Sequence, residues 1–77
     1  MAREFQRYAR LLAGNVRTYR KALRLSQEQL ALDADVDRSF VSRIERGLAN
    51  PSLQVLCKIA SVLKVHPKAL FEDSPSK

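Results

Sequence analysis

Ser26-Gln27-Glu28-Gln29-Leu30-Ala31-Leu32-Asp33-Ala34-Asp35-Val36-Asp37-Arg38-Ser39-Phe40-Val41-Ser42-Arg43-Ile44-Glu45-Arg46-Gly47 holds two short helical patterns together with the signals that start and stop them. Ser26 can cap the first, and Gln29 three residues on completes an S-x-x-Q capping box. Leu30, Ala31 and Ala34 then face inward. Asp35 tolerates a left-handed backbone better than most residues, and Asp37 offers a second N-cap after Val36, so the spacing predicts a tight turn. The next helix is expected over Arg38 to Arg46, with Val41 and Ile44 inward and Gly47 as its C-terminal cap. Its other side is left free.

Towards the N-terminus, Tyr8, Leu12, Val16, Tyr19 and Leu23 recur at helical steps, which predicts a first helix from Phe5 to Leu23. Towards the C-terminus, the loop Leu48 to Pro51 leads to Ser52, a further N-cap, and to a stripe of Leu53, Leu56, Ala60 and Leu63. Val65 and His66 end that helix. Pro67 at a first helical position predicts a short fifth helix through Phe71, and Ser74 to Lys77 reads as a frayed tail. The expectation is an all-α, compact five-helix single domain over 1–77, with its core in 5–72 and no strand or internal repeat.

Seventy-seven residues fit one domain. Folding at this size buries only roughly 60% of the unfolded chain's surface, so an oligomeric contact would help. The chain is 45% hydrophobic, yet no stretch approaches the ~18 apolar residues of a membrane span. Glu4, Arg7 and Arg10 interrupt Met1 to Leu12, so no export signal is read and a cytoplasmic protein is expected. Cys57 and His66 each stand alone, which excludes an intramolecular disulfide and disfavours a four-ligand metal site. Without a glycine-rich phosphate loop, a nucleophile paired with a base, or a ligand cluster, neither an enzyme nor a cofactor or small-molecule site is expected. Cys57 reads as a small packed hydrophobe.

The net charge of +6 is unevenly placed. Residues 1–25 carry Arg3, Arg7, Arg10, Arg17, Arg20, Lys21 and Arg24 against Glu4, whereas residues 26–77 balance seven against seven. Such a basic stretch attracts phosphate, or simply forms a solvated helix face; charge alone does not separate the two.

Two helices joined by a short turn can place the second in the major groove of double-stranded DNA. The run Ser26-Gln27-x-x-Leu30-Ala31, then Val36, Val41-Ser42-x-Ile44-Glu45-x-Gly47 and Pro51-Ser52-Leu53, closely resembles the Cro/repressor-type helix-turn-helix family, over residues 14–71. The resemblance implies a lambda-repressor-like fold, with the helix-turn-helix at helices two and three, and a sequence-specific transcription regulator. Asp35 stands where that family usually has glycine. Residues 37–47 also look like the controller proteins of restriction-modification systems, though phage repressors and antitoxins share much of the segment.

With Val41 and Ile44 inward, the outward residues of the 38–46 helix near its start are Arg38, Ser39, Ser42 and Arg43, the candidates for base reading. Arginine can give two hydrogen bonds to guanine, and serine can bond several base edges. Plain structural readings compete: an exposed first turn for Arg38, a small packed residue for Ser42. Gln27 can meet a phosphate at the start of helix two, a role the resemblance also implies, and Arg46, Asn50 and Arg17 can touch flanking backbone. A tail containing Arg3 can reach a minor groove, but an untethered terminus is the expectation.

The resemblance further pairs Arg20 with Glu45 as a buried or half-buried ion pair. Val55, Ile59 and Val62 form a second apolar set which, with Leu70 and Phe71, can face a second copy or simply be core. The resulting expectation is a homodimer on a roughly palindromic operator, and the rival is a protein-interaction module built on the same fold.

Overall fold

In the computed structural model, which describes residues 2–73, the elements are α1 Ala2–Ala22, α2 Gln27–Ala34, α3 Arg38–Glu45, α4 Leu53–Leu63 and a 3-10 helix Pro67–Phe71. There is no strand among the described residues. The expected fifth helix is therefore a single 3-10 turn, begun by Pro67 and capped where His66 Nδ1 accepts from the Lys68 N–H at 3.0 Å. The tail read at Ser74 to Lys77 lies outside the described residues. Within them no helix is long and apolar enough to cross a membrane.

All four α-helices stop by the same device. After α1 the Leu25 N–H donates to the Arg20 carbonyl and Arg24 to Lys21; after α2, Val36 donates to Ala31 and Asp35 to Leu32. Leu48 to Arg43 with Gly47 to Ile44 closes α3, and Val65 to Ala60 with Lys64 to Ser61 closes α4. This paired closure needs one left-handed residue, and here those residues are Arg24, Asp35, Gly47 and Lys64, with φ of 59°, 57°, 74° and 63°. Only one is glycine. At the other three a Cβ crowds the next carbonyl, a local cost of about 1 kcal/mol, offset by satisfied end carbonyls and by Val36 and Val65 turning onto the core.

At the helix starts, Ser26 Oγ accepts from the Gln29 N–H at 2.9 Å and Ser52 Oγ from Val55 at 3.1 Å. The capping box at Ser26 is only half formed, because Gln29 Nε2 donates to Asp33 Oδ1 one turn on instead of reaching back. Asp37 has the extended backbone of an N-cap but makes no side-chain cap bond.

α1 packs on α3 and on the 3-10 helix, and α2 packs on α3 and α4. The enclosed core holds Leu12, Val16, Leu30, Ala34, Val41, Ile44, Ile59, Ala60, Leu63 and Leu70. α1 starts at Ala2, so Arg3 sits in a helix and not on a loose end. Its buried side is Ala9, Leu12, Ala13, Asn15 and Val16, while Tyr8 and Leu23, expected inside, are 41% and 38% exposed. Leu12 and Val16 lie among small residues on that buried side, while Tyr8 and Leu23 lie at its margins. In α4, Leu53 is 73% exposed, Leu56 is half-buried, and Ile59 takes the central inward place. Cys57 is exposed rather than packed.

Candidate nucleic-acid interface

Asp35, Val36 and Asp37 turn the chain from α2 into α3, and the Val36 N–H bond to the Ala31 carbonyl at 2.9 Å ties that turn down. α3 then buries Val41, Ile44 and Glu45 against α1 and α2. Arg38, Ser39, Arg43 and Arg46 are exposed on its outer side, with Ser42 half-buried between them. The four proposed base readers thus share one face of one short helix, and Arg46 shares it with them.

Two of these arginines are held lightly. The Arg43 guanidinium stands 6.0 Å from the Phe40 ring centre and approaches the Leu48 carbonyl at 3.5 Å, while Arg46 Nε approaches the Ser42 carbonyl at 3.4 Å. Contacts this long and exposed constrain little, so both groups can swing to an outside acceptor. Asn50 is exposed in the loop after α3.

Behind the outer face lies a polar knot centred on Glu45. Arg20 Nε donates to Oε2 at 2.6 Å and Arg20 Nη2 to Oε1 at 2.9 Å, a two-pronged ion pair in which the side chains are only 11% and 3% exposed. Arg20 Nη1 reaches the Leu25 carbonyl at 2.8 Å, and Gln27 Nε2 donates to Glu45 Oε1 at 3.1 Å. Arg17 Nη1 closes the set on the Glu45 main-chain carbonyl at 2.8 Å. Burial pushes the Glu45 carboxyl up, but the hydrogen bonds from Arg20 and Gln27 and the nearby charges of Arg20 and Arg17 together hold it below the usual glutamate value. Arg20 is pushed up, chiefly by its hydrogen bond to Glu45. No buried side-chain polar atom among the described residues lacks a partner.

Glu45 therefore anchors α3 to α1 through Arg20 and Arg17 and to the first turn of α2 through Gln27. Directional hydrogen bonds to the Glu45 carboxylate from Arg20 and Gln27, and to its main-chain carbonyl from Arg17, add to apolar packing in orienting α3. The bonds of Gln27 and Arg17 were not legible in the sequence. Each leaves further N–H groups on the same side chain for an outside acceptor.

Asn15 was missed as well. Its Nδ2 donates to the carbonyls of Leu70 and Glu72, each at 2.8 Å, pinning the 3-10 helix to α1. The signal lay in its spacing, three residues after Leu12 and four before Tyr19.

The apolar set read as facing a second copy divides. Ile59 and Leu70 have no exposed surface and belong to the core, whereas Val55, Val62 and Phe71 are half-buried at its edge. Beside them, Phe5, Tyr8, Leu12, Leu56 and Phe71 line an apolar groove of about 150 Å³, with the Tyr8 and Phe71 rings edge to face at 6.4 Å.

A protein-family profile described as Helix-turn-helix matches residues 16–70. The HTH-type transcriptional regulator SlrR of Bacillus subtilis (strain 168) is 43% identical over 58 residues, 74% of this chain and 38% of SlrR. Control protein C.BamHI of Bacillus amyloliquefaciens is 46% identical over 48 residues, 62% of this chain and 59% of that protein. The chain spans less than two thirds of either relative. The crystal structure of the restriction-modification controller protein C.AhdI from Aeromonas hydrophila has a TM-score of 0.79 and 40% identity, covering 82% of this chain and 96% of that one.

Proposed function

The chain belongs to the helix-turn-helix family, and from that premise we propose that it is a cytoplasmic, sequence-specific DNA-binding regulator of transcription that reads bases with the outer side of α3. One observation carries the reading: Arg38, Ser39, Ser42 and Arg43 lie together on the outer side of a helix whose inner side is locked by the Glu45 network. A helix held rigidly and armed outward with two arginines suits recognition of guanine edges in a major groove. Gln27, Arg17, Arg46 and Asn50 serve the phosphates on either side and set the register.

The working unit is a homodimer, with two copies of α3 about 34 Å apart on a roughly palindromic operator. Val55, Val62 and Phe71 form its apolar contact, and Ile59 and Leu70 stiffen that contact from behind. The likeness to C.BamHI and C.AhdI favours the controller of a restriction-modification operon over a phage repressor or an antitoxin. Adjacent methyltransferase and endonuclease genes are the expected neighbourhood, and a toxin gene there would overturn that assignment.

Selection of bound sites from a random duplex library tests the reading. Enrichment of one motif with half-sites one turn apart is the expected result. Failure to enrich any duplex would replace it with a protein-interaction module.

A further inference from the structure

We propose that α1 carries a second DNA-contacting track, the row Arg3, Arg10 and Arg17, which grips phosphates beyond those reached from α2 and α3; the proposal rests on the DNA-binding reading above. Residues seven apart complete almost two turns of a helix and so lie one above another. α1 is unbroken from Ala2 to Ala22, so the row is straight and about 21 Å long. Along a duplex that length passes about six phosphates of one strand.

The position of the row links it to the reading helix. Arg17 bonds the carbonyl of Glu45, the last residue of α3. Two turns earlier, the Arg10 side chain runs beside Gly47, where Arg10 Cγ stands 3.9 Å from the place a Cβ would occupy. The row therefore passes the C-terminal end of α3, next to exposed Arg46, and Arg3 extends it by two more turns. The basic row of α1 thus meets the chain where α3 ends, at Glu45 and Gly47.

Among the described residues, Arg3 and Arg10 make no ion pair, and Arg17 touches only the main-chain carbonyl of Glu45, with that residue's carboxylate nearby. Arg3, Arg10 and Arg17 are exposed, and the one ion pair among the described residues is that of Arg20 with Glu45. Glu4, the single acidic residue of α1, sits off the row by roughly a third of a turn. Arg3 and Arg10 also precede residues 16–70, the stretch matched to the family, so they add to the shared domain. An exposed basic row that reaches the end of a helix read as facing DNA has the duplex backbone as its complement.

The test compares the full chain with R3Q/R10Q and with the control K64Q/K68Q, which removes the same charge from exposed sites near the end of α4. Each is titrated by fluorescence anisotropy at several salt concentrations on the selected operator and on a random duplex of equal length. R3Q/R10Q is expected to lower the slope of log affinity against log salt by about 1.8 per bound chain, about 3.6 for a dimer, on both duplexes, leaving their ratio unchanged. K64Q/K68Q is expected to keep the wild-type slope, and melting curves of both variants to match the wild type. Equal slopes for the two variants would overturn the track and leave α1 a solvated face. A wild-type chain that binds both duplexes alike would overturn sequence-specific reading while the slopes still decide the track, and one that binds neither overturns both.

Discussion

The side-chain amide of Gln27 donates to Oε1 of Glu45 at 3.1 Å, so the first residue of α2 and the last of α3 share a carboxylate that Arg20 already holds from α1. The residue proposed to meet phosphate is thereby preset by the group that orients the reading helix. Gln27→Ala is expected to weaken binding to every duplex by a similar factor and to lower stability by about 1 kcal/mol. Anisotropy on matched and mismatched operators, with melting curves, checks both. A loss confined to one operator would make Gln27 a base reader.

Removing the carboxylate is more severe. Glu45→Ala strands a nearly buried guanidinium, a change that costs about 3 to 5 kcal/mol when burial is complete and less for Arg20, which keeps some contact with water. A loss near 3 kcal/mol corresponds to a Tm fall of more than about 10 °C in a domain of this size, and operator affinity should fall with it. An unchanged Tm would reduce the pair to an ordinary surface contact.

The same carboxyl sets an acid limb. Its folded-state value lies below the usual one, so the ionised form contributes stability in full above the ordinary glutamate range, near pH 4.3, and that contribution is lost as pH falls through the folded value. The Tm of the wild type should therefore drop more steeply below about pH 4 than that of Glu45→Gln. Parallel curves would show that other carboxylates carry the acid response.

Left-handed residues that are not glycine offer a gain. Lys64→Gly and Arg24→Gly relieve Cβ crowding at φ of 63° and 59°, and each is expected to add up to about 0.5 kcal/mol, net of the extra freedom of the unfolded chain. Gly47→Ala should cost a similar amount through backbone strain alone, since the nearest atoms to an added Cβ are 3.9 Å away. Thermal unfolding of the three variants gives opposite signs if this account holds.

Arg43 lies over Phe40 without a close partner, free to turn outward. Arg43→Ala is expected to relax preference at one base position by about 1 to 3 kcal/mol while leaving the other positions sharp. Repeating the library selection with the variant measures this. A uniform loss at all positions would assign Arg43 to the backbone.

Local chemistry made much of the fold legible. Ser26 and Ser52 cap helices, Asp35 takes the left-handed turn and Gly47 ends α3, each through bonds within a few residues. Contacts across the fold were harder to read. Asp37 had the right type and backbone for a cap, yet its side chain makes no such bond, and Gln29 chose Asp33 over the box. The apolar rows on α1 and α4 held at their centres, where Leu12, Val16, Ala60 and Leu63 are buried, and failed at their ends, where Tyr8, Leu23 and Leu53 are exposed. At the candidate site, periodicity set out the outer face of α3. The Glu45 pairing came from family likeness, and the donors from Gln27 and Arg17 depend on how three helices converge, which spacing within one helix does not encode.

The Asn15 bridge to Leu70 and Glu72 joins residues at least 55 positions apart. During synthesis on the ribosome α1 emerges first, carrying an amide whose acceptors have not yet been made. α1 through α4 can gather around the growing core, but Leu70, a fully buried piece of it, and the clasp at Asn15 arrive only with the last described segment. A nascent chain halted after α4 would therefore be a loose assembly with an open seat on α1, a target for chaperones and proteases. The bonds that set the pose of α3 join residues 17 to 45 and are available earlier, so the orientation of that helix and the closing of the core around it are separate steps in synthesis.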